Sequence, residues 1–196
     1  MKPLVLIVGP PAVGKMTVGQ ALSNSTGFPL LHNHMSIELA LKFFEFGEPG
    51  FDDLNRALKN TIVQSVARSD HAGFIMTWVW AFDLEADAEG VSDLVSRWRE
   101  MTGSDVLVVE LSADETVKKQ RNVDPDRLAA KPSKADVVAS EARRRHHESH
   151  HQLNSGGTLP LPLPHLLIDN STLSPAAVAQ QICQWAATEG FFDQPA

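Results

Sequence analysis

The chain has 196 residues, 43% hydrophobic and 21% charged, ordinary values for a globular protein with room for one sizeable core. Its single cysteine, Cys183, excludes an internal disulfide framework and fits a reducing, cytoplasmic setting. A net charge of −7 argues against a general nucleic-acid binder, and no segment approaches the roughly 18 apolar residues of a membrane span.

Leu4 to Val8 is a continuous apolar run, the pattern of a parallel strand buried on both faces and too short for the apolar region of a signal peptide. It leads into "VGPPAVGKMTVGQ", where Gly9, Gly14 and Lys15 have the G-x-x-x-x-G-K spacing of a phosphate-binding loop, and a helix from about Lys15 to Ser25 should follow. "FPLLH" (28–32) reads as a second strand. Residues 35–46 and 52–69 read as helices, with Ile37, Leu41 and Phe44, then Leu54, Leu58, Ile62 and Val66 at helical spacing, parted by Gly47 and "EPG". "GFIMTWVWAF" (73–82) is a third strand with Trp78 and Trp80 on one face, and "DVLVVEL" (105–111) a fourth, with a helix around 91–101 between them. Ser112 and Glu115 have capping-box spacing for the next helix.

"VDPDRLAAKPSKAD" (123–136) reads as an irregular basic excursion, after which Ser133 and Asp136 resemble a cap for a helix running to about His151. The stretch from Lys118 to Arg145 carries +5 against −12 elsewhere, which suits a small, highly charged anion or, alternatively, a solvated helix face. A loop (154–164), a fifth strand "HLLID" (165–169) and a last helix opened by Ser174 and Pro175 complete the chain, with Val178, Ile182 and Trp185 facing inward. Alternating strands and helices with no dividing linker predict one α/β domain over 1–196 built on a parallel sheet. Ligands of such sheets bind beyond the carboxyl ends of the strands, so the places to inspect are Gly9–Thr17, His32–His34, Trp80–Asp83, Ser112 and Asn170–Ser171.

A glycine turn entering a helix points backbone N–H groups and the positive helix end at an anion, and Lys15 adds a mobile charge for the β- and γ-phosphates. The usual loop continues with Ser or Thr to ligate Mg²⁺; here Met16 intervenes and the hydroxyl arrives at Thr17. A thioether does not ligate a hard cation, so one protein contact to Mg²⁺ is absent, and no residue is assigned as a direct metal ligand.

The order Gly-Lys-x-Thr in "GPPAVGKMT", with "VVELSADETVKKQR" leading into a basic segment and the closing "LLIDNSTLSPAAVAQQI", resembles P-loop small-molecule kinases of the nucleoside monophosphate kinase, shikimate kinase and gluconate kinase group, including shikimate-kinase-like ATPases. The resemblance spans about residues 3–188. It implies a three-layer P-loop fold with a five-stranded parallel sheet in the order 2-3-1-4-5 and a lid, here 122–134, that closes over ATP. It implies Mg²⁺ held mainly through phosphate oxygens and water. Gly9, Pro10, Ala12, Val13, Gly14, Lys15, Met16 and Thr17 match the phosphate loop, with Thr17 contacting a phosphate. Arg121 matches an arginine on or near adenine, and Asn170–Leu173, with Asn170 and Ser171 foremost, border the base through backbone contacts. Arg127, and one of Arg143, Arg144 or Arg145 with Arg144 preferred, match lid arginines that neutralise the transferring group.

On the acceptor side, shikimate kinase carries Asp-x-Asp after its second strand, where this chain has His32, Asn33 and His34; shikimate itself is therefore not the expected substrate. Either His34 or Asp83 is a candidate base toward an acceptor hydroxyl, Asp83 also being a candidate helix cap or water-mediated Mg²⁺ contact. Trp80, Glu38 and Arg56 are further acceptor-side candidates. His146/His150 and His147/His151 lie four apart on a predicted helix, a spacing able to chelate a transition metal, but no nearby acid or cysteine completes a site. The expected activity is transfer of the γ-phosphoryl group of ATP to a small hydroxyl- or phosphate-bearing acceptor, such as a metabolite, nucleotide or antibiotic, without nucleic acid or membrane as partner. The rival reading is a nucleotide-binding switch with little transfer activity. No N-K-x-D guanine motif supports a GTPase.

Overall fold

Every side chain of Leu4–Val8 is shielded from water, which explains its unbroken apolar sequence: this strand, β1, is the middle one of five. The computed structural model describes residues 1–192. The other strands are β2 (Leu30–Leu31), β3 (Phe74–Thr77), β4 (Val106–Ser112) and β5 (His165–Asp169), all parallel in the order β2-β3-β1-β4-β5. The helices are α1 (Lys15–Thr26), α2 (His34–Ala40), α3 (Pro49–Ala67), α4 (Glu85–Thr102), α5 (Glu115–Asn122), α6 (Pro125–Ala130), α7 (Val137–His150) and α8 (Pro175–Thr188). Among the described residues no helix is long and apolar enough to cross a membrane.

The two faces of the sheet follow the period of two in the strands. Leu4, Leu6, Val8, Met76 and Val108 pack with Val63 of α3 and Val91, Val95 and Trp98 of α4. Val5, Ile7, Ile75 and Val109 pack with Val18 and Leu22 of α1 and Val178 and Ile182 of α8. Helices on both faces give the expected three layers and leave the strand ends as the place for a site. One acid lies inside this core: Glu110 of β4 accepts from the Ser155 amide at 2.8 Å, Asn154 Nδ2 at 2.9 Å and His165 Nε2 at 3.0 Å, fastening the loop before β5 to the sheet.

Several local expectations are corrected. The third strand ends at Thr77 because the ladders end there: Met76 faces Leu31 and Thr77 faces Ile7, and the chain then leaves the sheet. Trp78 and Trp80 are thus not strand neighbours; Trp80 is fully buried and stacks on Phe82 with centroids 4.6 Å apart. α2 stops at Ala40, since Phe43, Phe44 and Phe46 find no core to enter and stay exposed. α3 and α4 begin earlier than their apolar spacing, at Pro49, a residue suited to a first turn, and at Glu85. Ser112 and Glu115 form no capping box: Ser112 ends β4, Asp114 is the N-cap residue, and Glu115 turns instead to Arg144 and Lys118. The excursion after α5 is not irregular but holds α6, capped by Asp124, and a 3-10 turn at Pro132–Lys134. Asp136 caps α7 through the Ala139 amide, while Ser133 bonds elsewhere. Ser174 caps α8 as expected.

Candidate active site

The loop between β1 and α1 has positive φ at Gly9 (132°), Ala12 (63°) and Gly14 (109°). Gly9 admits no side chain, because a Cβ would lie 2.4 Å from the Leu111 carbonyl oxygen. Lys15 folds back over the loop, its ammonium donating to the Gly9 and Pro10 carbonyls at 2.5 and 2.8 Å. Its burial, then Lys131 and Arg127 nearby, push its pKa well below the ordinary lysine value. At the back of the loop, the Val13 carbonyl accepts from Arg121 Nη1 at 2.8 Å and Asn170 Nδ2 at 3.0 Å. Arg121 Nη2 also donates to the Asn170 carbonyl at 2.8 Å, so the exit of β5 is tied to the loop.

A cavity of about 750 Å³ opens in front of the loop, a size suited to a small-molecule site. Ala12, Gly14, Lys15, Met16 and Thr17 line it at one side, with Arg121 and Asn170. His32, His34, Thr77 and Val79 line it at the ends of β2 and β3, with Phe46 from the segment between α2 and α3. Across the top stand Arg127, Lys131, Lys134 and Arg143. Gly9, Pro10 and Val13 do not line the cavity; their carbonyls hold Lys15, Arg121 and Asn170. Ser171 also lies outside its wall, its hydroxyl accepting from the Asp114 amide at 2.8 Å and donating to Asp169.

The electrostatics point to an anion. Arg127 is half-buried, yet its Nε and Nη1 are shielded from water and have no hydrogen-bond partner. A guanidinium stays charged even when burial and a neighbouring Arg144 push its pKa down, so two charged donors stand idle beside a phosphate loop. Burial, followed by Arg127 and Lys134, lowers the Lys131 pKa to about 8. Burial, followed by Lys131, Lys134, Arg127 and His32, lowers that of His34 to about 2. His34 is therefore a neutral imidazole at neutral pH: a hydrogen-bonding group facing cations rather than a ready proton acceptor.

Two expected catalytic residues are not placed for chemistry. Asp83 lies outside the cavity and fastens the loop after α7, accepting from the Gln152 amide at 2.8 Å and from His151 Nδ1 at 3.3 Å. Val79, not Trp80, supplies the apolar wall beyond β3. Arg144 borders the cavity, but its guanidinium is spoken for by Glu115, Glu141 at 2.7 Å and Glu148 at 2.9 Å. Arg145 pairs with Glu141 at 3.0 Å, leaving Arg143 as the member of the run that lines the cavity without an ion pair among the described residues. The sequence did not single out Lys131 and Lys134; only the net charge of their segment signalled them. The rings of His146 and His150 are tilted by 35° with centroids 4.0 Å apart, and among the described residues no three His, Cys, Asp or Glu side chains converge as metal ligands.

No family model matches the chain. It is 32% identical over 126 residues to a shikimate kinase of Rhodococcus jostii, a stretch covering 61% of this chain and 66% of that protein. Over 60 residues it is 37% identical to a shikimate kinase of Corynebacterium diphtheriae, spanning 35% of that relative. A crystallised shikimate kinase of Acinetobacter baumannii, in complex with shikimate, superposes with a TM-score of 0.53 at 18% identity, covering 98% of this chain and 97% of that one. The chain is similar to shikimate kinases in sequence over that stretch and has their P-loop fold. An APS kinase of Mycobacterium tuberculosis, in complex with AMPPNP and APS, has the same fold with a TM-score of 0.58 at 14% identity, covering 95% and 98%. Met16, after the loop lysine, and His32, Asn33 and His34, after β2, all line the cavity of this chain.

Proposed function

We propose that the protein is a cytoplasmic ATP-dependent kinase that phosphorylates a small acceptor. The observation that carries this reading is Arg127, a shielded guanidinium with two unpartnered nitrogens held among Lys15, Lys131 and Arg143 around a glycine loop. Convergent cations are what phosphoryl transfer requires, because its catalysis is positioning plus stabilisation of charge on the moving group. The loop amides from Ala12 to Thr17 and the Lys15 ammonium would hold the phosphates, with the lid segment 122–134 bringing Arg127 to the γ-phosphoryl group. The Arg121 guanidinium, fixed in orientation by Val13 and Asn170, offers a flat face to the base. ATP supplies the phosphoryl group; Mg²⁺ would be held mainly by phosphate oxygens and water, with Thr17 the nearest hydroxyl in the loop.

The cavity continues past the loop to His32, His34, Thr77, Val79 and Phe46, leaving space for an acceptor beyond the nucleotide phosphates. That space favours a kinase over a nucleotide-binding switch, which needs no second chamber. Lys131 and Lys134, both desolvated beside His34, favour an acceptor carrying negative charge. The apolar Ile37, Val79 and Phe46 favour one with an apolar face. The test is ADP release from Mg·ATP across libraries of small hydroxylated acids and phosphate esters. A substrate should emerge whose kcat falls on the order of 10³-fold in Arg127→Ala. ATP binding without turnover of any acceptor would leave the switch reading standing.

A further inference from the structure

The segment 123–135 carries Arg127, Lys131 and Lys134 over the phosphate loop, and none of the three forms an ion pair among the described residues. Its helix and turn bonds are internal or run back to the flanking α5. Among the described residues, the only hydrogen bonds from this segment beyond its flanking helix α5 join Ser133 to Glu38 of α2. The Ser133 amide donates to Glu38 Oε2 at 3.2 Å, and the Ser133 hydroxyl donates to Glu38 Oε1.

We propose that Glu38 is the catch of the lid, a positioning residue whose two-point hold on Ser133 keeps Arg127, Lys131 and Lys134 over the phosphate loop. The need for a catch follows from charge. The lid cations repel one another and Lys15, so a lid with no anion beneath it tends to lift. The Glu38 carboxylate offsets this at Lys131 and Lys134, and its hydrogen bonds are of the stronger, charge-assisted kind. Glu38 lies one helical turn from His34, so lid closure and the acceptor end of the cavity share one short helix. The contact itself stands without any assumed chemistry; its effect on turnover rests on the kinase reading above.

Amide hydrogen exchange of residues 124–136, measured without nucleotide, tests the catch directly. In Glu38→Ala exchange there should rise on the order of tenfold, the loss of two charge-assisted bonds, while exchange in β1 and β4 stays unchanged. Ser133→Ala, which loses only the hydroxyl bond, should rise less. The double variant should exchange no faster than Glu38→Ala, and Glu38→Gln, keeping one acceptor oxygen, should be partly rescued. With a fluorescent ATP analogue, the same order should appear in its dissociation rate. Unchanged exchange in Glu38→Ala, or a double variant equal to the product of the two singles, would overturn the proposal. Altered exchange in a protein that binds no ATP analogue would leave the catch intact and sink the kinase reading instead.

Discussion

Replacing Arg144 with methionine separates the role expected from resemblance from the one its contacts describe. The side chain is 2% exposed and meets three carboxylates, from Glu115 on α5 and from Glu141 and Glu148 on its own helix. Methionine keeps the stem's volume but leaves those acids without their shared cation. Removing one partner of a fully buried pair costs about 3–5 kcal/mol. Here Glu115 is 50% exposed, and Glu141 and Glu148 are 23% and 19% exposed, so water recovers part of that loss. The expected destabilisation is about 2–3 kcal/mol, or roughly 4–12 °C in Tm for a chain of this size. The arginine's hydrogen bonds hold both Glu115 and Glu141 at about 2, below the ordinary 4.5. A depressed carboxylate pKa stabilises the fold above the unfolded value, and that contribution is lost as pH falls through the folded value. The gap between wild type and Arg144→Met should therefore be full at pH 7 and narrow as pH drops from about 4.5 towards about 2. Urea unfolding followed by tryptophan fluorescence, with m unchanged, reads this out. Unchanged stability at pH 7 together with a hundredfold loss of turnover would refute the reasoning and return Arg144 to the transferring phosphoryl group.

Three further outcomes are expected. Gly9→Ala places a Cβ 2.4 Å from a backbone oxygen at φ 132°, so it should destabilise the fold by about 2 kcal/mol or more and abolish retention on an ATP-analogue resin; normal retention would mean that the loop re-forms elsewhere. Lys131, with a pKa near 8 before ligand arrives, should bind anions only when protonated. ATP affinity by calorimetry should be flat below about pH 8 and fall above it, whereas Lys131→Arg should flatten the profile up to pH 9. Met16→Ser restores a hydroxyl directly after the loop lysine; if Met16 costs a metal contact, the Mg²⁺ concentration for half-maximal ADP release should drop several-fold, and an identical requirement would count against that reading.

Local periodicity and long-range consequence were unequally legible. Leu4–Val8 announced a buried parallel strand because both of its faces are covered, and the glycine–lysine spacing announced the turn behind it. The continuous run from Phe74 to Phe82 misled because apolar sequence records burial, not ladder partners: the last five residues are buried or half-buried without neighbours to pair. Arg144 is the instructive residue of the site. Glu141 and Glu148 stand three before and four after it, a helical spacing that marks an arginine already neutralised, whereas Arg143 lacks such acids at both spacings. That signal was present in the sequence. The hold of Ser133 on Glu38 was not, since it joins residues 95 apart with no pattern between them.

The Val13 carbonyl is a single oxygen serving two masters. It belongs to the loop that shapes the phosphate cradle, and it is gripped by Arg121 and Asn170, the groups nearest the expected base. Gly14 leaves no slack: a Cβ there would meet Asn170 Nδ2 at 3.2 Å and Arg121 Nη1 at 3.5 Å. On the proposed reading, base preference and phosphate grip are thus not independent modules in this chain. An engineer who rewrites position 170 to admit a different base also disturbs the loop, because Asn170, Arg121 and the Val13 carbonyl share one hydrogen-bonded corner, and selection acting on either must carry the other along.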